Sequence, residues 1–226
     1  MYDVFFLSYD ELNADANYER LKSKVANAKR IHGVSGILNA HKACAKKSLT
    51  KYFFVVDGDS YIVDDFNFII DKSNIQEDKV LVWRAINPVN KLVYGYGGIK
   101  LLPKKLILSK SELIVDMTTS LSGNFGIVDE IASITKFNTS PFNAWRGAFR
   151  ECVKLSSKTI DRQKEDQTQE RLDVWCSINY NAEYGEYVLK GANSGRNFGL
   201  TYKNDVNKLK LINDFSWLRE QYNKEK

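Results

Sequence analysis

The sequence predicts an α/β fold, a mostly parallel sheet flanked by helices, with a helical and loop-rich C-terminal part. Three observations lead to this. Short β-rich apolar runs at 2–7 (YDVFFL), 31–34 and 52–56 alternate with stretches of helical periodicity. The connections between them are short. Two of the runs also end in polar clusters, Ser8 to Glu11 and Asp57 to Asp59, and in such sheets ligands sit outside the carboxyl ends of strands.

In chain order, residues 2–7 form the first strand. Leu21, Val25 and Ala28 then recur at helical spacing and predict a helix over 15–29. A strand is expected over 31–34, closed by Gly33 and Gly36, then a helix over 38–49, then a strand over 52–56. Beyond residue 65 the character changes. Residues 79–83 (KVLVW) and 92–101 predict strands around the glycine-rich turn YGYGG, and a further β-like run at 112–115 ends at Asp116. Ser140 followed by Pro141 signals a helix start, with Phe142, Trp145, Phe149, Cys152 and Val153 as its buried stripe. Residues 157–173 are polar and predict an exposed helix or a mobile segment. GANSGRNFG (191–199) predicts a loop, and an amphipathic helix closes the chain from about residue 213. Residues 1–226 are expected to form one domain, sheet-rich first and helical later.

Composition narrows the class. No run approaches the roughly 18 consecutive apolar residues of a membrane span, and MYDVFFLSYDE lacks the basic start of a signal peptide. Three widely separated cysteines, Cys44, Cys152 and Cys176, are expected as free thiols of a cytoplasmic protein. The net charge of +5 leans towards anionic partners, with phosphorylated small molecules, DNA and RNA all open.

The stretch KYFFVVDGDSYI carries the chemistry. An apolar strand running into two aspartates one residue apart leaves charge that needs a partner. Paired carboxylates at a strand end chelate hard cations such as Mg²⁺ or Mn²⁺, which take the rest of their shell from water and substrate phosphates. Asp57 and Asp59 are therefore the candidate metal ligands, with Gly58 expected to let the backbone turn. Lys42, Lys46 and Lys47 precede this strand; the latter two read as a solvated face. Trp83, Tyr94 and Tyr96 are candidate platform residues for an acceptor. Arg146, Arg150 and Lys154 recur every four residues as a basic stripe suited to phosphates.

Residues 1–65, with the polar end of the first strand, the stretch AHKACAKKSLTKYFFVVDGDSYI and its VVDGDS ending, resemble a GT-A glycosyltransferase. YGYGG fits the same pattern more loosely. The resemblance implies a GT-A-like, Rossmann-like sheet, with residues 1–65 as the nucleotide-sugar-binding half and 80–226 as the acceptor side. It implies Mn²⁺ or Mg²⁺ on Asp57 and Asp59, holding the diphosphate of a nucleotide-sugar donor, with a UDP-linked donor expected because Tyr9 suits a pyrimidine face. Ser8, Tyr9, Asp10 and Lys42 become nucleotide-binding candidates, and Asp116 the candidate base, with Asp129 and Glu151 as rivals. Metal-dependent members often draw a further ligand from a C-terminal histidine. Here both histidines, His32 and His41, precede the aspartates and are expected to be structural.

FNTSPFNAWRGAFRECVKL is similar to phage-encoded transferases that glycosylate 5-hydroxymethylcytosine in DNA, which implies DNA as the acceptor partner and glucose or a pentose such as arabinose as the sugar. A glycan, lipid carrier or protein acceptor, a nucleotidyltransferase and a non-catalytic nucleic-acid-binding module are the alternatives.

Overall fold

The computed structural model describes residues 2–71, 75, 78–95, 97–112, 115–121, 124–159, 165–177 and 181–225. Two compact units emerge: Met1–Leu113 with Met117–Lys136, and Ile114–Asp116 with Phe137–Lys226. Among the described residues no helix is long and apolar enough to cross a membrane.

The first unit is built on one mixed sheet. β1 (Asp3–Ser8), α1 (Ala14–Lys24), β2 (Lys29–His32), α2 (Ile37–Lys47) and β3 (Tyr52–Asp57) give the expected strand–helix alternation. β1 pairs in parallel with both β2 and β3. Its run is apolar on both faces because both faces are covered. Val4 and Phe6 pack with Leu21, Phe54 and Trp83, whereas Phe5 and Leu7 pack with Ala40, Cys44, Phe53 and Val55. Each fully buried phenylalanine contributes about 2 kcal/mol.

The sheet continues through β4 (Ser60–Ile62), β5 (Val80–Ile86), β6 (Val93–Tyr94), β7 (Ile99–Pro103) and β8 (Phe125–Thr135). The order is β2-β1-β3-β7-β5-β8-β4, with β6 paired to β5. β5 and β8 run parallel, while β7 lies antiparallel between β3 and β5. The strand expected over 92–101 is two strands, interrupted where Gly97 adopts φ +80. Short helices α3 (Lys104–Ser109) and α4 (Met117–Leu121) complete this unit. The β-like run expected at 112–115 falls partly on residues 113 and 114, outside the described residues.

The second unit is helical. α5 (Pro141–Ser156) starts as expected, the Ser140 hydroxyl accepting from the Asn143 N–H. It is followed by α6 (Glu165–Ser177), α7 (Gly185–Thr201), α8 (Val206–Lys210), a 3-10 turn over Leu211–Asn213 and α9 (Phe215–Lys224). Asp214 caps α9 by accepting from the Ser216 and Trp217 N–H groups. Phe142, Trp145, Phe149 and Val153 form its core with Leu209, Ile212, Leu218 and Tyr222. The loop expected over 191–199 is instead the middle of α7. Its glycines serve helix contact: a Cβ on Gly191, Gly195 or Gly199 would collide with the backbone of α5 at Trp145, Phe149 or Val153. Of the polar segment over 157–173, the part from Glu165 onward is helix α6, and residues 160–164 lie outside the described residues.

Candidate functional site

Parallel pairing puts the carboxyl ends of β1, β2 and β3 side by side. Ser8 lies opposite His32, and Leu7 opposite Asp57. The polar loops that follow β1 and β3 therefore emerge together.

Ser8 is buried, and its hydroxyl is engaged within the fold. It accepts from Arg30 Nε at 2.9 Å and bonds His32 Nδ1 at 3.0 Å. The bond to Ser8 holds the exposed imidazole in one orientation. Tyr9 is 47% exposed and Asp10 is exposed. The Glu11 carboxylate turns back to accept the Tyr9 N–H at 2.7 Å.

The same Glu11 carboxylate lies against Gly58. A Cβ on Gly58 would stand 2.7 Å from Glu11 Oε2 and 3.2 Å from the Leu7 carbonyl oxygen. Asn17 of α1 donates to the Gly58 carbonyl at 2.9 Å. Gly58 is not among the residues with positive φ. Close approach of the first loop, rather than an unusual backbone turn, is what requires glycine here.

Asp57 and Asp59 are both half-buried. Lys100 of β7 is only 4% exposed, and its Nζ lies 2.8 Å from each Asp57 carboxylate oxygen. The third Lys100 donor goes to the Gly97 carbonyl. Behind this pair lies His41 of α2, fully buried. Burial, with the Lys100 charge adding to it, pushes its pKa down to about 3. Its Nδ1–H donates to the Ile37 carbonyl, leaving a buried Nε2 without a hydrogen-bond partner. Burial likewise pushes the Cys44 thiol up to about 12. The Asp59 carbonyl accepts the Lys136 N–H at 2.7 Å. Tyr61, two residues on, lies between Arg20 and Lys136, whose charges stand 4.2 and 3.8 Å from its ring centre.

Does this donor set fit a divalent cation? Among the described residues no group of three or more His, Cys, Asp or Glu side chains comes together to hold one. Asp57 is already neutralised by a buried ammonium. A divalent ion at this loop would have to fill most of its shell with water and substrate phosphate. The loop does not suit chelation by both aspartates with Lys100 in place.

The remaining sequence candidates scatter. Lys42 lies in the middle of α2, half-buried. Trp83 requires correction as a platform residue. It is 1% exposed, packs on Phe54 and Phe66, and donates its Nε1–H to Glu130. Tyr94 is buried as well, because β6 pairs against β5. Tyr96 lies outside the described residues. In the second unit, Asp116 stands 3.6 Å from Lys154, which also pairs with the buried Glu151 at 2.9 Å. Burial opposes the Lys154 charge, but these two carboxylates outweigh it and its pKa is raised. Lys154 is thus an internal ion-pair member, and the stripe reduces to Arg146 and Arg150. Arg146 stacks over Phe215 at 4.3 Å, and Arg150 donates to Asn213 at 3.1 Å. Of the rivals, Asp129 is exposed and paired with Arg84.

Lys100, Glu11 and Asn17 were missed by the sequence reading. Only Lys100 carried a usable signal: one charge inside the apolar strand IKLLP, which must find a buried partner.

No protein-family model matches the chain, and no curated protein matches it. Among solved structures, it is similar to HddC from Yersinia pseudotuberculosis, with 17% identity and a TM-score of 0.42 over 60% of this chain and 91% of that one. It is also similar to the mannosyltransferase PcManGT from Pyrobaculum calidifontis, solved with GDP-Man and Mn²⁺, with 8% identity and a TM-score of 0.44 over 96% and 85%. A third similarity is to a glycosyltransferase involved in glycosylating the major capsid of PBCV-1, with 13% identity and a TM-score of 0.37 over 56% and 82%.

Proposed function

We propose that the protein is a glycosyltransferase that moves a sugar, glucose or a pentose such as arabinose, from a UDP-linked donor to the hydroxymethyl group of 5-hydroxymethylcytosine in DNA. The observation that carries the transferase reading is the junction of the two polar loops. The Ser8 to Glu11 loop and the Asp57–Gly58–Asp59 loop touch through Glu11 and Gly58 at the carboxyl ends of adjacent parallel strands, where α/β sheets bind ligands. In this reading the exposed Tyr9 and Asp10 meet the nucleotide, while Ser8 acts by fixing the loop's root. Asp59 holds Mn²⁺ or Mg²⁺, which when bound neutralises the charge developing on the departing diphosphate. Asp116, 3.6 Å from Lys154, is the proposed base for the acceptor hydroxyl.

The DNA acceptor is supported by the net charge of +5 and by Arg146 and Arg150. Burial of Trp83 and Tyr94 favours a second acceptor reading, transfer to a glycan, lipid carrier or protein, since these rings cannot receive an extruded base. To test both, the enzyme is incubated with a panel of nucleotide sugars and Mn²⁺, with hydroxymethylated or unmodified duplex DNA, and the digested nucleosides are weighed by mass spectrometry. A sugar-sized gain confined to hydroxymethylcytosine is expected. Donor hydrolysis with the DNA untouched moves the acceptor to the second reading. No turnover of any donor overturns the transferase itself.

A further inference from the structure

The three cysteines sit in unlike surroundings. Cys44 belongs to the first unit, fully buried among Phe5, Phe53 and Val55. Cys152 and Cys176 both belong to the helical unit, where three helices bring them together. α5 carries Cys152 one turn beyond Phe149, whose backbone packs against Gly195 of α7. α6 turns Leu172 and Trp175 inward, and Cys176 lies one turn beyond Leu172 on that side. Arg196, next to the closely packed Gly195, pairs with Asp173 of α6 at 3.7 Å. The Cys152 thiol donates to the Cys176 sulfur, and the Arg196 guanidinium donates to the same sulfur. One sulfur therefore has both a second thiol and a cation beside it.

These surroundings divide the pair. Cys152 has none of its surface exposed, and burial raises its pKa, so it keeps its proton. Cys176 is half-buried. The Cys152 hydrogen bond, with the Arg196 charge adding to it, outweighs burial and Asp173 and lowers its pKa. A reachable sulfur with thiolate character beside a positive charge is the reactive kind of cysteine, and a neighbouring thiol gives its oxidised form a partner.

We propose that Cys176 and Cys152 form a hydroperoxide-sensitive dithiol, Cys176 attacking and Cys152 resolving, which closes into a disulfide between α6 and α5. The Cys176 thiolate attacks the hydroxyl oxygen of a hydroperoxide. An S–O bond forms, the O–O bond breaks, and the alkoxide or hydroxide leaves and takes up a proton. The sulfur, oxidised by two electrons, is now a sulfenic acid. Cys152 gives up its proton and attacks that sulfur; the S–S bond forms, the S–O bond breaks, and water leaves. A small dithiol reverses the link by exchange and is itself oxidised to a disulfide. Because the two sulfurs already touch, the link forms within one chain. The inference goes beyond the glycosyltransferase reading and does not depend on it.

To test it, the protein is treated with hydrogen peroxide, quenched with catalase, unfolded, alkylated with N-ethylmaleimide and digested for mass spectrometry. The expected product is a linked Cys152–Cys176 peptide pair, lighter than the two free peptides by two hydrogen atoms. Cys44 stays open to alkylation, and dithiothreitol restores the other two thiols. In Cys152→Ala the sulfenic acid on Cys176 lacks its resolving partner and is captured by dimedone. In Cys176→Ala, Cys152 remains reduced. Arg196→Gln slows the link several-fold, since less of the Cys176 thiolate is present. Circular dichroism checks each variant, and the wild-type result decides the proposal where a variant does not fold. Three cysteines still alkylated after peroxide, Cys44 oxidised as fast as Cys176, or a cross-link between two chains on a non-reducing gel overturns the proposal. Oxidation of Cys152 at the wild-type rate in Cys176→Ala overturns the division of roles, and an unchanged rate in Arg196→Gln removes the part given to the arginine.

Discussion

Gly58 shows how one residue can be identified correctly for the wrong reason. Two aspartates flanking a glycine suggest a tight turn, and the position does need glycine. The need comes from Glu11 and Leu7, which stand where a Cβ would go. Replacing it with alanine pushes away the flexible Glu11 carboxylate, and the Tyr9 N–H loses its acceptor. Gly58→Ala is therefore expected to cost about 1–2 kcal/mol of stability by crowding. It should also weaken nucleoside diphosphate binding about tenfold, the equivalent of one lost anchoring bond. Calorimetric titration with UDP beside a melting curve checks both, and unchanged affinity would detach the first loop from the nucleotide. At this scale the sequence makes chemical types legible and leaves partners hidden. Asp57, Asp59, Tyr9 and Asp10 are recognisable from position in a strand–loop pattern. That Lys100 claims Asp57, that Lys154 is committed to Glu151 and Asp116, and that Trp83 is core follow from pairings made across 3 to 47 residues of chain.

α5 and α7 show the same divide between what is local and what is not. The start of α5 was legible because a serine cap and a following proline act within one turn. α7 was not, since three glycines in nine residues read as a loop when only intrinsic preference is considered. At positions 191, 195 and 199 they form a stripe four residues apart on one helix face, and only the partner helix explains them. Two effects of opposite sign meet at Gly195. Helix propensity alone makes alanine more stable than glycine by about 1 kcal/mol. Against that, a Cβ would lie 2.9 Å from the carbonyl carbon of Phe149, which is backbone and cannot swing aside. Overpacking dominates, and Gly195→Ala is expected to destabilise by about 2 kcal/mol net. Asn193→Ala, on the exposed side of the same helix, is the control and should be neutral or slightly stabilising. Chemical denaturation of the two variants checks the sign; a stabilised Gly195→Ala would mean that the helices separate without cost. β8 was missed for a related reason. Its pairing with β5 shifts register around Arg84, and that irregularity erases the alternation by which a half-buried strand is recognised.

Over the whole molecule, the first 57 residues were legible because their α/β order is written in short-range periodicity and both sheet faces are filled from neighbouring segments. The sheet's other half is assembled from strands that arrive antiparallel or from far along the chain, which no local pattern announces. One consequence of closing helices over both faces reaches global stability. His41 is on the buried face of α2 with its ring fully buried, and the Lys100 charge near it adds to the cost of a second cation. In the unfolded chain its imidazole takes up a proton below about pH 6.5. In the folded protein it stays neutral down to about pH 3. Between those limits the unfolded state binds one more proton, so stability falls as pH falls, by up to about 1.4 kcal/mol per unit. The loss from pH 7 to pH 4 amounts to about 3 kcal/mol from this residue. Other groups titrate over the same range, Asp3 among them, whose hydrogen bonds and Lys29 partner outweigh its burial and hold its pKa below the usual value. The contribution of His41 is therefore read as a difference. His41→Leu removes the titrating ring and the unpartnered Nε2 while keeping similar volume, and it is compared with wild type by urea denaturation at pH 7, 6, 5 and 4. The wild-type curve should drop more steeply, the gap between the two widening by about 3 kcal/mol across the series. Parallel curves would show that the His41 ring takes up its proton in the folded state too, and that the space beneath α2 admits water or moves to let it.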